Sequence, residues 1–517
     1  MNVEHRSKHP GAHHGPAMAP LALLALLALL ALPVLSSTAY AAAPTDGEAL
    51  RSELRQHYPS LKWVERYRQA YPADAQGDDM LFGNAPASRL DTVHDLVQAL
   101  LALQDQHVAI AGAQAGKQES LGVLFRTSSD GAMAVWRLLD PAITTLREGE
   151  QITDIDAVPV QRWLARAGAL TFGGNQRSRM AEAALKLGFA TPLDHGALGL
   201  GKQVRLGVRA GDGTVRSVAL GYQAMTPQSG AALAQAVERA DLPDSLVAHG
   251  YKVGVLRFGA FAPQYETAFN TAAAAADVAG ASADGPMLAG FCAVVRQRLS
   301  HIDALAARSD LLLIDLRGNL GGFGREARLL ARALTPQALA ATYDVFPGAA
   351  PGRLKLLKQA DDAACGTLKT PRPLVVWTDA GTRSAGEFMA AWLWSAGAIS
   401  AGERTIGAGG GRDSEAAGFV LPRSGLRVKY SGNFSVFAHG ASLKEGELDE
   451  TRLLNQLAAD HFAPSRARPF AIQAVGLLPD VPLPTNAADL SDGGGAAVQR
   501  LVGELARRGL LAPPAAD

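Results

Sequence analysis

Cysteine is nearly absent: Cys292 and Cys365 are the only two among 517 residues. Two thiols without nearby histidines make a poor metal site, and they leave room for one disulfide at most. Net charge is absent too, because Lys+Arg and Asp+Glu stand at 49 each. No global basic field exists to collect nucleic acid or an anionic membrane. The N-terminal apolar run falls short of the roughly 18–20 residues that cross a bilayer, and no other segment is long and apolar enough. Charged residues make up 19% and hydrophobic residues 48%, the balance of a soluble protein with a substantial core. The length implies two to four domains.

The start of the chain reads as an export signal. Arg6 and Lys8 form a weak basic region, and Leu21 to Leu32 (LALLALLALLAL) is an apolar run of signal-peptide length. Pro33 ends it, and Ala39-Tyr40-Ala41 is an A-x-A cleavage site. Residues 1–41 are therefore expected to be a signal peptide, and the mature protein to be periplasmic or secreted, with no stable membrane span. In that compartment Cys292 and Cys365 can pair, or stay free.

Three textures follow. Residues 42–115 are helical in pattern, with Leu90 to Leu103 apolar at helical spacing. Residues 116–225 are β-rich, with hairpin signals at Ser129-Asp130-Gly131 and Gly211-Asp212-Gly213, and a helical stretch from Trp163 to Leu187. Residues 250–490 alternate strands and helices, as in a largely parallel, covered sheet. Strands are expected at Val253 to Phe258, Leu311 to Leu316, Leu374 to Trp377 and near Leu426 to Tyr430. Residues 491–517 end the chain with an amphipathic helix.

Ser384 is the most informative residue. It follows the apolar strand Leu374 to Trp377 and precedes an apolar helical run, in TRSAGEF. A serine at a strand-to-helix turn exposes its hydroxyl, and the helix N-terminus behind it offers N–H groups to an oxyanion. The plain alternative is a serine that caps the helix. A second element is Asp315 to Gly322 (DLRGNLGG), a buried strand opening into a turn with paired glycines. A third is Gly402 to Gly407 (GERTIG).

Together these elements resemble the C-terminal-processing (tail-specific) serine peptidase family, with its ordered D-x-R-x-N-x-G-G, S-A-x-E and G-E-x-T-x-G motifs. The segment GLLPDVPL from Gly476 is similar to a later family element. The resemblance implies an α/β fold: a ClpP/crotonase-like catalytic core with a helical N-terminal domain and a PDZ-like β-rich domain. It implies a serine-type endopeptidase acting on proteins or peptides, with no cofactor and no metal. Ser384 is the expected nucleophile, with the oxyanion held by Ala385 and by Gly321 or Gly322.

One position departs from the family. The best-known branch places a lysine base after T-x-G, where this chain has Ala408. Three readings stay open. His107, in L-x-D-x-H-V (Leu103 to Val108), resembles the histidine base of the tricorn-like and retinoid-binding-protein-like branch. Lys429 or Lys444 is a second source. A catalytically inactive peptide- or ligand-binding protein of the same fold is the third. Asp105 is set aside as the group orienting His107, since residues two apart on a helix diverge; Glu445 and Glu447 remain possible. Glu387 is expected to be structural. In residues 116–225, LREGEQITDIDAVPV resembles a PDZ element, and Leu121, Gly122 and Val123 are the expected carboxylate-binding loop for a peptide C-terminus.

Overall fold

The strand LLLID (Leu311–Asp315) is buried at every position, as is LVVWT (Leu374–Thr378). Continuous apolar runs of this kind belong to parallel strands covered on both faces. They lie centrally in a six-stranded sheet ordered Ser245–Ala248, Tyr251–Arg257, Leu311–Asp315, Leu374–Thr378, Ile399–Gly402 and Val481–Pro482. All neighbours are parallel except the first pair. Alternate residues point to opposite faces. Leu312 and Ile314 join the helices Gly285–Ala306, Gly324–Leu334 and Ala385–Ser395 in one core, while Leu311 and Leu313 pack with the C-terminal helix Gly495–Arg507 in another.

The structure is a computed structural model that describes residues 44–513 apart from 78, 83–89, 91, 112–117, 280–283, 361–362, 408, 412–415 and 441. The expected signal peptide and the position Ala408 lie outside the described residues. No helix among those described is long and apolar enough to cross a membrane.

The strand expected near Leu426 forms as Arg427–Ser431, but not in the parallel sheet. It pairs antiparallel with Ala109–Ala111 on one side and Ala416–Val420 on the other. A second, five-stranded sheet holds Ala341–Pro347, Arg353–Lys358, Phe434–Ala438, Gly446–Asp449 and Phe470–Ala471. The N-terminal helices Asp46–His57, Leu61–Ala70 and Val93–Leu101 cover it. Leu50, Trp63 and Tyr67 share a core with Val345, Leu356, Tyr430 and Phe434. The N-terminal helices therefore help to build the surroundings of the site.

Residues 123–221 form a sheet ordered Val123–Thr127, Met133–Leu138, Gln151–Ile155, Gln203–Arg209 and Val215–Gly221, with its own core. Both predicted hairpins close here. The helical stretch expected from Trp163 to Leu187 is two helices, Val160–Gly168 and Gln176–Gly188. Cys292, on the long helix Gly285–Ala306, is disulfide-bonded to Cys365, with the Cα atoms 5.0 Å apart.

Candidate active site

The turn after strand Leu374–Thr378 is held from beneath. Thr382 Oγ1 donates to the Leu316 carbonyl (2.8 Å), and the Arg383 N–H donates to the Asn319 carbonyl (3.1 Å). Ser384 then adopts φ 51° and ψ −122°, and the buried helix Ala385–Ser395 begins at the next residue. A non-glycine residue in this region carries about 1–3 kcal/mol of strain, which the surrounding packing must hold. The Ser384 hydroxyl makes no capping hydrogen bond, so the simple N-cap role does not apply. Instead, Ser384 lines a cavity of about 1550 Å³.

The DLRGNLGG turn runs beside it. Asp315 accepts from the Arg317 backbone and guanidinium, and Asp379 accepts from the Gly318 N–H (2.7 Å). Asn319 anchors the turn, donating to the Phe258 carbonyl and accepting from the Gly321 N–H (2.8 Å). That last bond corrects the expected oxyanion donors, because the Gly321 N–H is already used. Gly321 does not line the cavity, whereas Gly322 and Ala385 do. Among the described residues, neither the Gly322 nor the Ala385 N–H meets an acceptor. These two are the donors available to a developing oxyanion.

GERTIG closes over the elbow from the other side. Glu387 is fully buried, and its Oε1 accepts from Thr405 Oγ1 (2.6 Å) and the Gly407 N–H (2.9 Å). Burial pushes its carboxyl up to about 7, against the pull of these donors. Glu387 thus ties the S-A-x-E helix to GERTIG, as a structural clasp.

His107 lines the same cavity as Ser384. The helix Val93–Leu101 has ended before His107, and Gln104 turns the chain with φ 49°. Asp105 is therefore not helical. Its Oδ1 accepts from the His107 N–H (2.9 Å) and stands 3.2 Å from His107 Nδ1, while Oδ2 accepts from Tyr58 Oη (2.9 Å). Setting Asp105 aside assumed helical geometry that is absent here. An Asp two residues before the His fits a side-chain turn as well as a helix, and that was the signal available. Glu445 and Glu447 are engaged elsewhere, accepting from the Lys358 and Ala349 N–H groups. Lys429 pairs in register with Ala109 and does not line the cavity, and Lys444 is exposed.

Arg383, next to Ser384, stands 3.5 Å from Glu182 on helix Gln176–Gly188. Phe388 and Trp392, one and two turns beyond Ala385, form an apolar wall with Phe346 and Leu357. Among the described residues no cluster of three or more His, Cys, Asp or Glu could hold a metal ion.

The loop expected to bind a peptide carboxylate does not offer its donors. The Leu121 N–H donates to the Gly188 carbonyl (3.0 Å), the Gly122 N–H to Ser120 Oγ (3.0 Å), and Val123 pairs with Leu138. Helix Gln176–Gly188 covers the free edge of strand Val123–Thr127, with Arg177 donating to the Thr127 carbonyl (2.6 Å) and Oγ1 (2.7 Å). The chain's own helix satisfies groups that a peptide strand would have needed.

Residues 292–445, which span the DLRGNLGG, S-A-x-E and GERTIG elements, match the model of peptidase family S41. Among solved structures, mature CPAF complexed with lactacystin is similar at 17% identity, with TM-score 0.55, covering 90% of this chain and 98% of that one. Mature CPAF alone gives 16% identity, TM-score 0.56, and coverage of 90% and 96%. A serine-to-alanine mutant of CPAF gives 16%, 0.56, and coverage of 89% and 96%. At such identity the likeness shows the fold. No curated protein is similar to the chain in sequence.

Proposed function

We propose, from the S41 match across the nucleophile elbow, that this serine-type peptidase is an exported endopeptidase that works through an acyl-enzyme on Ser384. One observation carries the reading. Ser384 sits strained at a helix N-terminus, its hydroxyl making no capping bond, in a cavity lined also by His107, Gly322 and Ala385, whose two N–H groups meet no acceptor among the described residues.

Ser384 Oγ attacks the substrate carbonyl while His107 Nε2 accepts its proton. The tetrahedral oxyanion falls to the Ala385 and Gly322 N–H groups. His107 then protonates the leaving amine, and water, deprotonated by His107, hydrolyses the acyl-enzyme. Substrates are proteins or peptides, since the cavity is large enough for several residues of chain. The apolar run before Ala39-Tyr40-Ala41 and the Cys292–Cys365 disulfide both favour an oxidising, exported location.

The test is labelling of the mature protein with a fluorophosphonate, followed by peptide mapping. Label on Ser384, lost in Ser384→Ala, together with hydrolysis of unfolded casein that His107→Ala abolishes, supports the reading. An unlabelled Ser384 and intact casein favour the inactive binding protein instead. Ala408, standing where the best-known branch has its lysine, is the observation on that side.

A further inference from the structure

We infer that Asp105 and Tyr58 are positioning residues for His107, a buried relay that reaches the site from the N-terminal helical segment. The inference rests on the reading of Ser384 as nucleophile and His107 as base.

The geometry runs in one line. Tyr58 follows helix Asp46–His57 as its C-cap, and its backbone N–H donates to the Leu54 carbonyl. Its ring meets that of Tyr430 edge-on at 6.1 Å, and Tyr430 Oη is in turn held by Glu53 (2.6 Å). The phenol is thereby fixed before it reaches Asp105. Tyr58 is 3% exposed and Asp105 only 1%, so neither has water as an alternative partner. Tyr58 Oη donates to Asp105 Oδ2 at 2.9 Å, and Asp105 Oδ1 faces His107 Nδ1 at 3.2 Å.

Each bond has a consequence for the next. A carboxylate at Nδ1 keeps the proton there and leaves the basic lone pair on Nε2. It also stabilises the imidazolium formed when Ser384 gives up its proton. The second carboxylate oxygen, buried without a donor, would cost the site its geometry, because Asp105 would turn toward another partner. Tyr58 supplies that donor. Burial and the adjacent Asp105 charge hold the phenol well above its usual range, so it stays protonated and donating. The His107 N–H to Asp105 bond (2.9 Å) closes a side-chain turn that keeps both residues in register. Glu445 and Glu447, the carboxylates that sequence offered for this role, accept instead from the Lys358 N–H on a strand of the second sheet and from the Ala349 N–H in its hairpin turn.

The test compares wild type, Asp105→Asn, Tyr58→Phe and Glu445→Gln on a fluorogenic peptide, with the His107 ring nitrogens read by ¹⁵N NMR. Asp105→Asn is expected to lower kcat by about 100-fold or more with KM within about threefold, and to move the ring proton from Nδ1 toward Nε2. Tyr58→Phe, which keeps the ring packing, is expected to lower kcat about 5- to 20-fold. Glu445→Gln is expected to match wild type. A purely structural pair would lower thermal stability and leave the tautomer and the kcat-to-KM split unmoved. An unchanged His107 tautomer in Asp105→Asn overturns the inference. Should wild type itself neither cleave peptide nor take the fluorophosphonate, the peptidase reading fails. The NMR comparison still decides whether Asp105 sets the tautomer.

Discussion

Gly321 lies directly beneath Ser384: a β-carbon on Gly321 would stand 2.7 Å from Ser384 Cβ and 3.2 Å from its hydroxyl. The backbone there has φ 82°, which L side chains rarely adopt. The DLRGNLGG turn and the turn that carries Ser384 are thus packed against each other with no room for a methyl group. Gly321→Ala should reduce fluorophosphonate labelling of Ser384 at least about tenfold while far-ultraviolet circular dichroism stays near wild type, since the strain is local and of the order of 1–3 kcal/mol. Wild-type labelling in this variant would contradict the packing.

Ser384 itself sits at φ 51°, a conformation that glycine reaches at little cost. Ser384→Gly should therefore abolish hydrolysis and yet melt at a higher temperature than Ser384→Ala, by a margin equivalent to about 1 kcal/mol. Calorimetry of the two inactive variants side by side measures it. Equal midpoints would mean that the elbow holds no strain.

Glu387 predicts a dependence of stability on pH. Burial raises its carboxyl in the folded state to about 7, from the ordinary 4.5. Because the folded pKa is the higher one, the folded state binds the proton more tightly than the unfolded chain does. The contribution is complete below about pH 4.5 and is lost as pH rises to about 7. Its full size is on the order of 3 kcal/mol. Glu387→Gln should flatten the melting temperature between these limits relative to wild type. Parallel curves for the two proteins would argue against a buried, proton-holding Glu387.

The disulfide joins helix Gly285–Ala306 to Cys365, 73 residues on in the chain. The double change Cys292→Ser and Cys365→Ser should cost about 2–4 kcal/mol of stability. Neither cysteine lines the cavity, so kcat should stay within about twofold. Denaturant titrations with and without reductant check the first figure, and peptide turnover checks the second.

The strands around Ser384 were legible because parallel strands buried on both faces are apolar over most of their length, as Leu311 to Ile314 and Leu374 to Trp377 are. The partners of Arg427–Ser431 were not legible. Its strand character is local and Ala416–Val420 reaches it across a short turn, but its other neighbour, Ala109–Ala111, comes from the N-terminal part of the chain. The same limit hid the strands Ala341–Pro347 and Arg353–Lys358, which bury one face against N-terminal helices. Leu121 to Val123 was misread for a related reason. A glycine-containing loop before a strand shows that donors exist, not that Gly188 and Ser120 have already taken them.

Sequence alone determined the chemical inventory: a serine at an elbow, a glycine-paired turn, a histidine in L-x-D-x-H-V, and no lysine at Ala408. Residue type and spacing suffice for these because each depends on a few adjacent positions. Tertiary structure decided which of those groups are free to act. Asn319 takes the Gly321 N–H, that of Gly322 meets no acceptor among the described residues, and Asp105 turns to face His107 because its helix has already ended. A hydrogen-bond donor or acceptor can be spent only once, and the partner that spends it is chosen by packing across the whole chain.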